Sequence, residues 1–410
     1  MSADSGSMAL RHVGTRQTRL LPKTVGFFFS FRLFTVLLSV RFLQLDAQTA
    51  VAINIALNLL LLIVVGFDSM GPAPSTLMST LAVRSFRWVI VFLSFSFISL
   101  FWTAAISEPA AIAYWCAMAA DVLMIVLLLR TGPETEMATS LMEGYVIGTC
   151  CVALVAWLLP AQADLRLGDE ELLGPNQIGY TCAFAVFFAQ YLINRGANSW
   201  KVVSGFLAIT LLRSLSKTTI VAFIAGELVV LARDRSIALK TKIALAVASL
   251  IAIGVFWNLL SAYFAIYTNA GNQAETLTGR LGIWAIILDK AIEQPWIGHG
   301  FHSVWKVIPP FGPEQFEPRH AHNELLQQFY AYGVAGVVIL IALYRSFYRQ
   351  IQKLSLGPLQ SLLLGLFTFG LVRGLADTEA FDLSLPLWAI TLIGVTLSRA
   401  KSSAEVSACG

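Results

Sequence analysis

The segment HNELLQQFYAYGVAGVVILIALY, His322 to Tyr344, places polar residues directly before a long apolar run. The run has about the 20 residues that an α-helix needs to cross a hydrocarbon layer roughly 30 Å thick. The whole chain shares this character, because 57% of its 410 residues are hydrophobic and only 13% are charged. A typical soluble domain is about 25% charged. The sequence therefore predicts a polytopic membrane protein, and its net charge of +4 does not indicate nucleic-acid binding.

Twelve apolar segments are predicted to cross the membrane as helices, so the predicted fold class is an all-α, polytopic membrane helix bundle. Continuous rather than alternating apolar runs favour helices over a closed barrel. The predicted spans are residues 25–44, 49–66, 87–104, 110–129, 141–159, 177–193, 200–213, 217–232, 242–259, 323–344, 358–374 and 383–399.

The orientation follows from the basic residues, which concentrate in alternate loops and mark the cytoplasmic side. This bias predicts that both termini are cytoplasmic and that one large outer loop separates the ninth and tenth helices. The loop is predicted to be an ordered functional cap with a helical stretch near residues 280–291. The predicted divisions are a tail at 1–24, spans at 25–259, the large loop at 260–322, spans at 323–399 and a tail at 400–410.

Three cations are predicted to lie at the outer end of the bundle, against the usual charge bias. They are Arg280 in the large loop, and Arg213 and Lys217 in the turn between spans seven and eight. Cations in this position need a reason, and a phosphate or pyrophosphate ligand would supply one. The alternative for Arg280 is an ordinary solvated arginine on a loop.

Four of the five histidines fall between residues 299 and 322. His322 precedes the predicted helix cap Asn323, and a neutral imidazole there could accept a proton from a sugar hydroxyl. The alternative is a surface or capping histidine. His320 and His322 also form a His-x-His pair, but no acidic or cysteine partner stands at metal-ligand spacing, so no metal site is predicted.

Several other polar residues are candidates with open alternatives. Asp377 or Glu379 in the last outer loop could orient a base or an acceptor sugar, although a negative outer loop is also expected from topology. Asn176 could hydrogen-bond a sugar or cap the sixth span. Asp121, within the fourth span, is expected to need a polar partner in the bundle.

One region resembles a known family. The stretch LTGRLGIWAIILDKAIEQPWIGHGFHSVW, followed by HAHNELLQQFYAYGVAG, resembles the conserved region of bacterial O-antigen ligases and related exopolysaccharide polymerases. Weaker similarity extends from Gly174 to Glu379, while spans one to five match only as membrane helices. The residues that carry the resemblance are Thr278, Gly279, Arg280, Trp284, Pro295, Gly298, Gly300, His322, Asn323, Gly333 and Gly336.

The resemblance implies an enzyme of the bacterial inner membrane with a periplasmic active site. Such enzymes transfer a glycan from undecaprenyl pyrophosphate to a sugar hydroxyl, on lipid A core for ligases and on a growing glycan for polymerases. It implies that His322 is the base and that Arg280 and Arg213 hold the pyrophosphate. Many ligases have arginine where this chain has Lys217, so the polymerase branch is favoured. The implied partners are the lipid-linked donor, a glycan or lipid A core acceptor, membrane lipid and other polysaccharide-assembly proteins.

The resulting hypothesis is a glycosyltransferase that needs neither cofactor nor metal, because its donor arrives activated. Asn176, His320, Glu379 and Trp284 are assigned to substrate binding, Trp284 by stacking on a sugar ring. Tryptophan at a membrane surface more often serves as an interfacial anchor. Two other classes of function remain as alternatives, a polysaccharide transporter and a non-catalytic assembly partner.

Overall fold

The computed structural model describes residues 4–70, 80–160, 166–169, 172–235, 238–255, 261, 277–305, 307 and 319–409. Within these residues the chain forms thirteen α-helices and one short 3-10 helix, which confirms the predicted all-α class. The helices are α1 (Asp4–Arg41), α2 (Ala47–Asp68), α3 (Arg84–Ile98), the 3-10 helix (Ser99–Trp102), α4 (Glu108–Thr131), α5 (Glu134–Leu158), α6 (Pro175–Asn194), α7 (Trp200–Arg213), α8 (Lys217–Arg233), α9 (Leu239–Val255), α10 (Leu277–Glu293), α11 (Glu324–Gln352), α12 (Pro358–Gly374) and α13 (Leu387–Cys409).

Six helices of the described ranges are individually long and apolar enough to cross a membrane, so the chain is a multi-pass membrane protein. The segments are Leu20–Arg41, Ala47–Asp68, Arg84–Trp102, Glu108–Thr131, Glu134–Leu158 and Glu324–Gln352. The twelve predicted spans each overlap a helix, and α10 is the additional helix within the large loop. The number of crossings, their sidedness and the division boundaries remain predictions. Much of the predicted loop, residues 262–276 and 308–318, lies outside the described residues.

Helix starts follow local capping chemistry. The side chain of Asp46 accepts a hydrogen bond from the backbone N–H of Thr49 at the start of α2, and Ser107 does the same for Ala110 in α4. Asn323 is the N-cap of α11, as predicted, and accepts from the N–H of Leu326 at 2.9 Å. Each cap satisfies a backbone donor that the helix itself leaves without a partner.

Close packing of α1 on α5 depends on two glycines. A Cβ on Gly26 would lie 1.9 Å from the carbonyl oxygen of Leu141, and one on Gly144 would lie 1.9 Å from that of Lys23. Small residues of this kind let two membrane helices approach backbone to backbone. The interface therefore excludes larger side chains at both positions.

Asp121 has the polar partners that the sequence analysis required. Its carboxylate lies 2.6 Å from Nη1 of Arg32 in α1 and accepts a hydrogen bond of 2.9 Å from the Asn58 amide in α2. The three side chains link α1, α2 and α4 inside the bundle. Arg32, a charged residue within the predicted first span, is thus compensated by a carboxylate from another helix.

Helix α11 is kinked at Gly333, where φ is 62°. The turn Pro295–Gly300 docks into this kink through backbone hydrogen bonds, including Val334 N–H to Pro295 O at 2.8 Å and Gly300 N–H to Ala331 O at 2.7 Å. A Cβ on Gly333 would lie 2.4 Å from the carbonyl carbon of Trp296, so only glycine fits. The glycines of the conserved region therefore fix α10 and its turn against α11.

Candidate active site

The candidate site lies at one end of the bundle, where several helix ends and connections converge. The start of α11, the connection after α12 and the turn between α7 and α8 meet the first turn of α10 there. Hydrogen bonds from Asn323 to the carbonyl oxygen of Leu375 at 2.9 Å, and from Gln327 to that of Ala380 at 3.3 Å, join α11 to the connection after α12. This convergence brings together side chains that are far apart in the sequence.

His322 lies against Asp377. Its Nδ1 is 3.4 Å from Oδ1 of Asp377, an ion-pair distance without the alignment of a hydrogen bond. The imidazole is largely buried, and the backbone of His322 is left-handed with φ at 50°. A left-handed non-glycine residue is strained and persists only where surrounding contacts fix it. The arrangement holds an imidazole beside a carboxylate, a pairing that orients a histidine base in known catalytic triads.

His320 packs edge to face on His322, with ring centroids 4.1 Å apart. Its Nδ1 accepts a hydrogen bond from the backbone N–H of His322 at 3.3 Å. Burial, with the neighbouring His322, lowers the pKa of His320 to about 3. His320 is therefore neutral near pH 7 and supports the loop that carries His322.

Arg373 holds Asp377 from the opposite side. Its Nη2 is 3.4 Å from Oδ2 of Asp377 and 2.8 Å from Oε1 of Glu379. Burial alone would raise the pKa of Asp377, but the charge of Arg373 and the contact with His322 hold that pKa well below its usual range. Asp377 therefore stays ionised beside the imidazole.

Arg373 is itself buried and oriented by a ring. Its guanidinium lies 4.0 Å from the ring centroid of Tyr180, whose hydroxyl donates to the carbonyl oxygen of Ser384 at 3.1 Å. Its Nε and Nη1 find no hydrogen-bond partner among the described residues. Buried donors without partners are rare in folded proteins. This guanidinium therefore keeps two donor nitrogens that the described residues do not use.

Arg280 reaches the same region from α10. Its Nη1 donates to Thr218 Oγ1 at 2.9 Å and to the carbonyl oxygen of Ala376, next to Asp377. Its Nε is buried and has no hydrogen-bond partner among the described residues. A solvated loop arginine is therefore the wrong description of Arg280, because contacts from α8 and from the connection after α12 hold its side chain.

The turn between α7 and α8 supplies the other predicted residues. Arg213 ends α7 and Lys217 begins α8, one residue before the Thr218 that holds Arg280. Asn176 accepts a hydrogen bond of 2.7 Å from Ser216 Oγ in this turn. The suggestion that Asn176 caps α6 is wrong, because Gly174 occupies the N-cap. Asn176 instead ties the start of α6 to the turn.

Trp284 lies apart from these polar groups. Its ring is half-buried against a small cluster that includes Ile283, Ile287 and Tyr330. Its indole N–H is buried without a hydrogen-bond partner among the described residues. These contacts show that Trp284 packs within α10 and against α11. Its stacking on a sugar ring remains a prediction.

The fold supplies the acidic partner that the His-x-His pair lacks in sequence. Three possible ligand atoms lie within 4.8 Å of one another, one from each of His320, His322 and Asp377. By distance alone they could bind one metal ion. Arg373 lies 3.4 Å from the second oxygen of Asp377, so that carboxylate already has a cationic partner.

The sequence did not predict two features of the site. It offered Asp377 and Glu379 equally, and the structure shows that Asp377 contacts the imidazole. No role was predicted for Arg373, because a cation at the end of an apolar helix commonly marks only the membrane boundary. The available signal was that Arg373 lies one helical turn before Asp377, a spacing at which the two can pair.

Residues 202–341 match the family model described as O-antigen ligase. The match confirms the predicted resemblance to O-antigen ligases and exopolysaccharide polymerases. It covers Arg213, Lys217, Arg280, His320 and His322, and it ends before Arg373 and Asp377.

Two curated relatives are similar to parts of this chain. An O-antigen ligase of Pseudomonas aeruginosa is 31% identical over 99 residues, which is 24% of this chain and 24% of that protein. The exopolysaccharide production protein ExoQ of Rhizobium meliloti is 24% identical over 299 residues, 66% of each chain. The matched region thus spans about a quarter of the first relative and about two thirds of the second.

Proposed function

We propose that the protein is an inner-membrane polysaccharide polymerase that joins undecaprenyl-pyrophosphate-linked repeat units on the periplasmic face. The observation that carries this proposal is the imidazole of His322, 3.4 Å from the ionised Asp377 and close to two partly unsatisfied arginines. A base beside anion-binding groups suits transfer of a sugar from a phosphate leaving group to a hydroxyl.

In the proposed reaction, His322 takes the proton from the acceptor hydroxyl as its oxygen attacks the anomeric carbon of the donor. The bond from that carbon to the pyrophosphate oxygen breaks, and the lipid pyrophosphate leaves with the electron pair. Asp377 stabilises the imidazolium that forms. Arg280 and Arg373, together with Arg213 and Lys217 in the adjoining turn, stabilise charge on the departing pyrophosphate.

The scheme requires neither a nucleotide nor a metal, because the pyrophosphate linkage already activates the donor. Glu379 takes part indirectly, through its contact of 2.8 Å with Arg373. Asn176 acts through the turn that carries Lys217, by its hydrogen bond to Ser216. Both residues are therefore proposed as supports for the anion-binding groups.

The second candidate is an O-antigen ligase that transfers the finished glycan to lipid A core. The description of the family model and the O-antigen ligase of Pseudomonas aeruginosa favour it. The polymerase is preferred because the longer match is to an exopolysaccharide production protein, and because Lys217 stands where many ligases have arginine.

A deletion strain distinguishes the two candidates when its lipopolysaccharide and secreted polysaccharide are separated on a gel. A polymerase deletion leaves single repeat units and removes long chains. A ligase deletion accumulates long chains on undecaprenyl pyrophosphate and leaves the lipid A core bare. Unchanged profiles for both glycans would overturn both candidates.

Complementation of that strain with His322→Ala separates catalysis from a non-catalytic assembly role. The variant is expected to be present in the membrane and to fail in glycan synthesis. Full restoration of long chains by His322→Ala would remove the proposed mechanism.

A further inference from the structure

Helix α10 carries an apolar stripe that no described residue covers. Leu281, Ala285, Leu288 and Ile292 are all exposed and follow one another at spacings of four, three and four residues, which places them on one face of a helix. Trp296, four residues further on and just after the helix, is 73% exposed. A continuous exposed stripe of this kind differs from scattered surface apolar residues and indicates an interaction surface.

The rest of α10 divides into two further faces. Ile283, Ile287 and Ala291 are buried against Tyr330 of α11 and form the packing face. Asp289, Lys290 and Glu293 are exposed and form a mainly polar face, where Lys290 and Glu293 make an ion pair of 2.7 Å. Ile286, 37% exposed, is the apolar member of that face. The helix therefore presents one face to protein, one apolar face outward and one mainly polar face outward.

The position of α10 places the stripe near the end of the membrane bundle. The turn that follows it is hydrogen-bonded to the 3-10 helix after α3 and to the residues just beyond, from Ala104 N–H to His299 O at 2.8 Å and from Phe301 N–H to Ser99 Oγ at 3.0 Å. Phe101, in the 3-10 helix, is 83% exposed and belongs to the segment Arg84–Trp102, which is long and apolar enough to span the membrane. The turn at the end of the α10 stripe is thus joined to a segment that is itself apolar, exposed and long enough to cross a membrane.

We propose that α10 lies in the membrane interface at the site's end of the bundle, with its stripe of Leu281, Ala285, Leu288 and Ile292 against lipid acyl chains. An amphipathic helix in this position has apolar residues toward the chains and charged residues toward water, with tryptophan at the boundary. The polar face of α10 and the exposed Trp296 meet these requirements.

This placement has a consequence that rests on the proposed function. Arg280 is on the same helix as the stripe, so a helix fixed at the lipid headgroup level fixes the depth of Arg280 as well. The pyrophosphate of a membrane-borne donor lies at that level, with its polyprenyl chain among the acyl chains. The stripe would thus set Arg280 at the height where such a donor presents its phosphates.

Photo-crosslinking tests the placement without requiring turnover. The full-length protein is reconstituted in vesicles of phosphatidylethanolamine and phosphatidylglycerol, with a benzophenone side chain at position 288, 289, 292 or 293. We expect phospholipid adducts, detected by mass spectrometry, to be at least about fivefold more abundant at 288 and 292 than at the polar-face controls 289 and 293. Equal yields at all four positions, or protein adducts in place of lipid at 288 and 292, would overturn the proposal.

A functional arm uses a matched pair of neighbouring substitutions. Leu288→Glu places a charge in the stripe and is expected to reduce long-chain glycan in the complemented strain by about tenfold, whereas Asp289→Asn on the polar face leaves it unchanged. If lipid adducts form as expected but Leu288→Glu keeps normal synthesis, the link to donor binding fails while the proposed function stands. If the adducts are absent, the placement fails whatever the activity of the variants.

Discussion

At the scale of single residues, the site depends on a strained histidine held between two elements. A left-handed backbone at a non-glycine residue costs on the order of 1–3 kcal/mol. Contacts on both sides of His322 offset this cost, since Gln327 Oε1 accepts from the N–H of Ala321 at 2.8 Å and Asn323 caps α11. The imidazole is thereby fixed beside Asp377 before any substrate binds, which lowers the cost of reaching a reactive geometry.

Asp377→Asn tests the partner of the imidazole. The carboxylate of Asp377 stays ionised across the working pH range because its pKa is held far below its usual value. Removing the charge takes away the group proposed to stabilise the imidazolium that forms during transfer, so transfer is expected to slow by at least about tenfold.

The matched control for this change is Asp68→Asn, at the exposed end of α2. Asp68 is not among the residues of the candidate site, so its substitution is expected to keep the wild-type transfer rate. The transfer rate of the purified enzyme at neutral pH decides the matter. A wild-type rate in Asp377→Asn would count against the assigned pair.

Arg280→Lys tests the proposed binding of pyrophosphate by Arg280. A lysine keeps the charge but lacks the rigid planar guanidinium, which can hold Thr218 and the Ala376 carbonyl while presenting its other N–H groups to phosphate oxygens in a fixed fork. Loss of one charge-assisted hydrogen bond costs about 1.5–3 kcal/mol, so we expect transfer to fall roughly 10- to 100-fold. Arg195→Lys, at the exposed end of α6, is the control and keeps normal activity. Wild-type activity in Arg280→Lys would argue against anion binding there.

At the scale of elements, the kink in α11 and the Pro295–Gly300 turn form one interlocked unit. Gly298, Gly300 and Gly333 all have positive φ. A Cβ on Gly298 or Gly333 would lie 2.4 Å from backbone atoms across the contact, and one on Gly300 would lie 2.5 Å from Cα of Thr103, after the 3-10 helix. These glycines are among the residues that carry the predicted resemblance. Only the fold explains them, because their backbone contacts join segments that are separated in the chain.

Gly333→Ala is expected to destabilise this unit. The new methyl group would meet the carbonyl carbon of Trp296 at 2.4 Å in a backbone conformation that alanine disfavours. We expect a loss of more than about 1 kcal/mol in stability, seen as a lower melting temperature of the detergent-solubilised protein. Gly66→Ala in α2, where nothing lies within 4 Å of the added methyl group, should be neutral or slightly stabilising. Equal melting temperatures for the two variants would contradict the interlocked contact.

At the scale of the whole molecule, the positions and lengths of the apolar segments predicted where helices form. They did not predict which helix ends lie next to one another. The segment 323–344 was predicted from composition, since membrane length and hydropathy depend only on local sequence. The partners of its neighbour His322 could not be predicted in the same way. Asp377 and Arg373 contribute to the site only because α12 ends beside the start of α11, and that pairing depends on packing across the bundle.

The buried pair of Arg32 and Asp121 tests the packing of the membrane helices. Asp121→Ala removes the carboxylate that lies 2.6 Å from Arg32 and leaves the guanidinium among α1, α2 and α4. Breaking a buried pair from one side costs about 3 kcal/mol, so the melting temperature should fall clearly. Asp68→Ala, exposed at the end of α2, is the matched control and should change little. A stable Asp121→Ala variant would mean that Arg32 finds another partner.

The most direct test measures glycan transfer by the purified protein in vesicles that contain a pyrophosphate-linked oligosaccharide donor and a glycan acceptor. The wild type is expected to lengthen the acceptor, and His322→Ala to lower the rate by about 100-fold or more while the folded protein still binds donor. His12→Ala, a histidine near the N-terminus, should transfer at the wild-type rate. Transfer by His322→Ala at the wild-type rate would contradict the assignment of this histidine as the base.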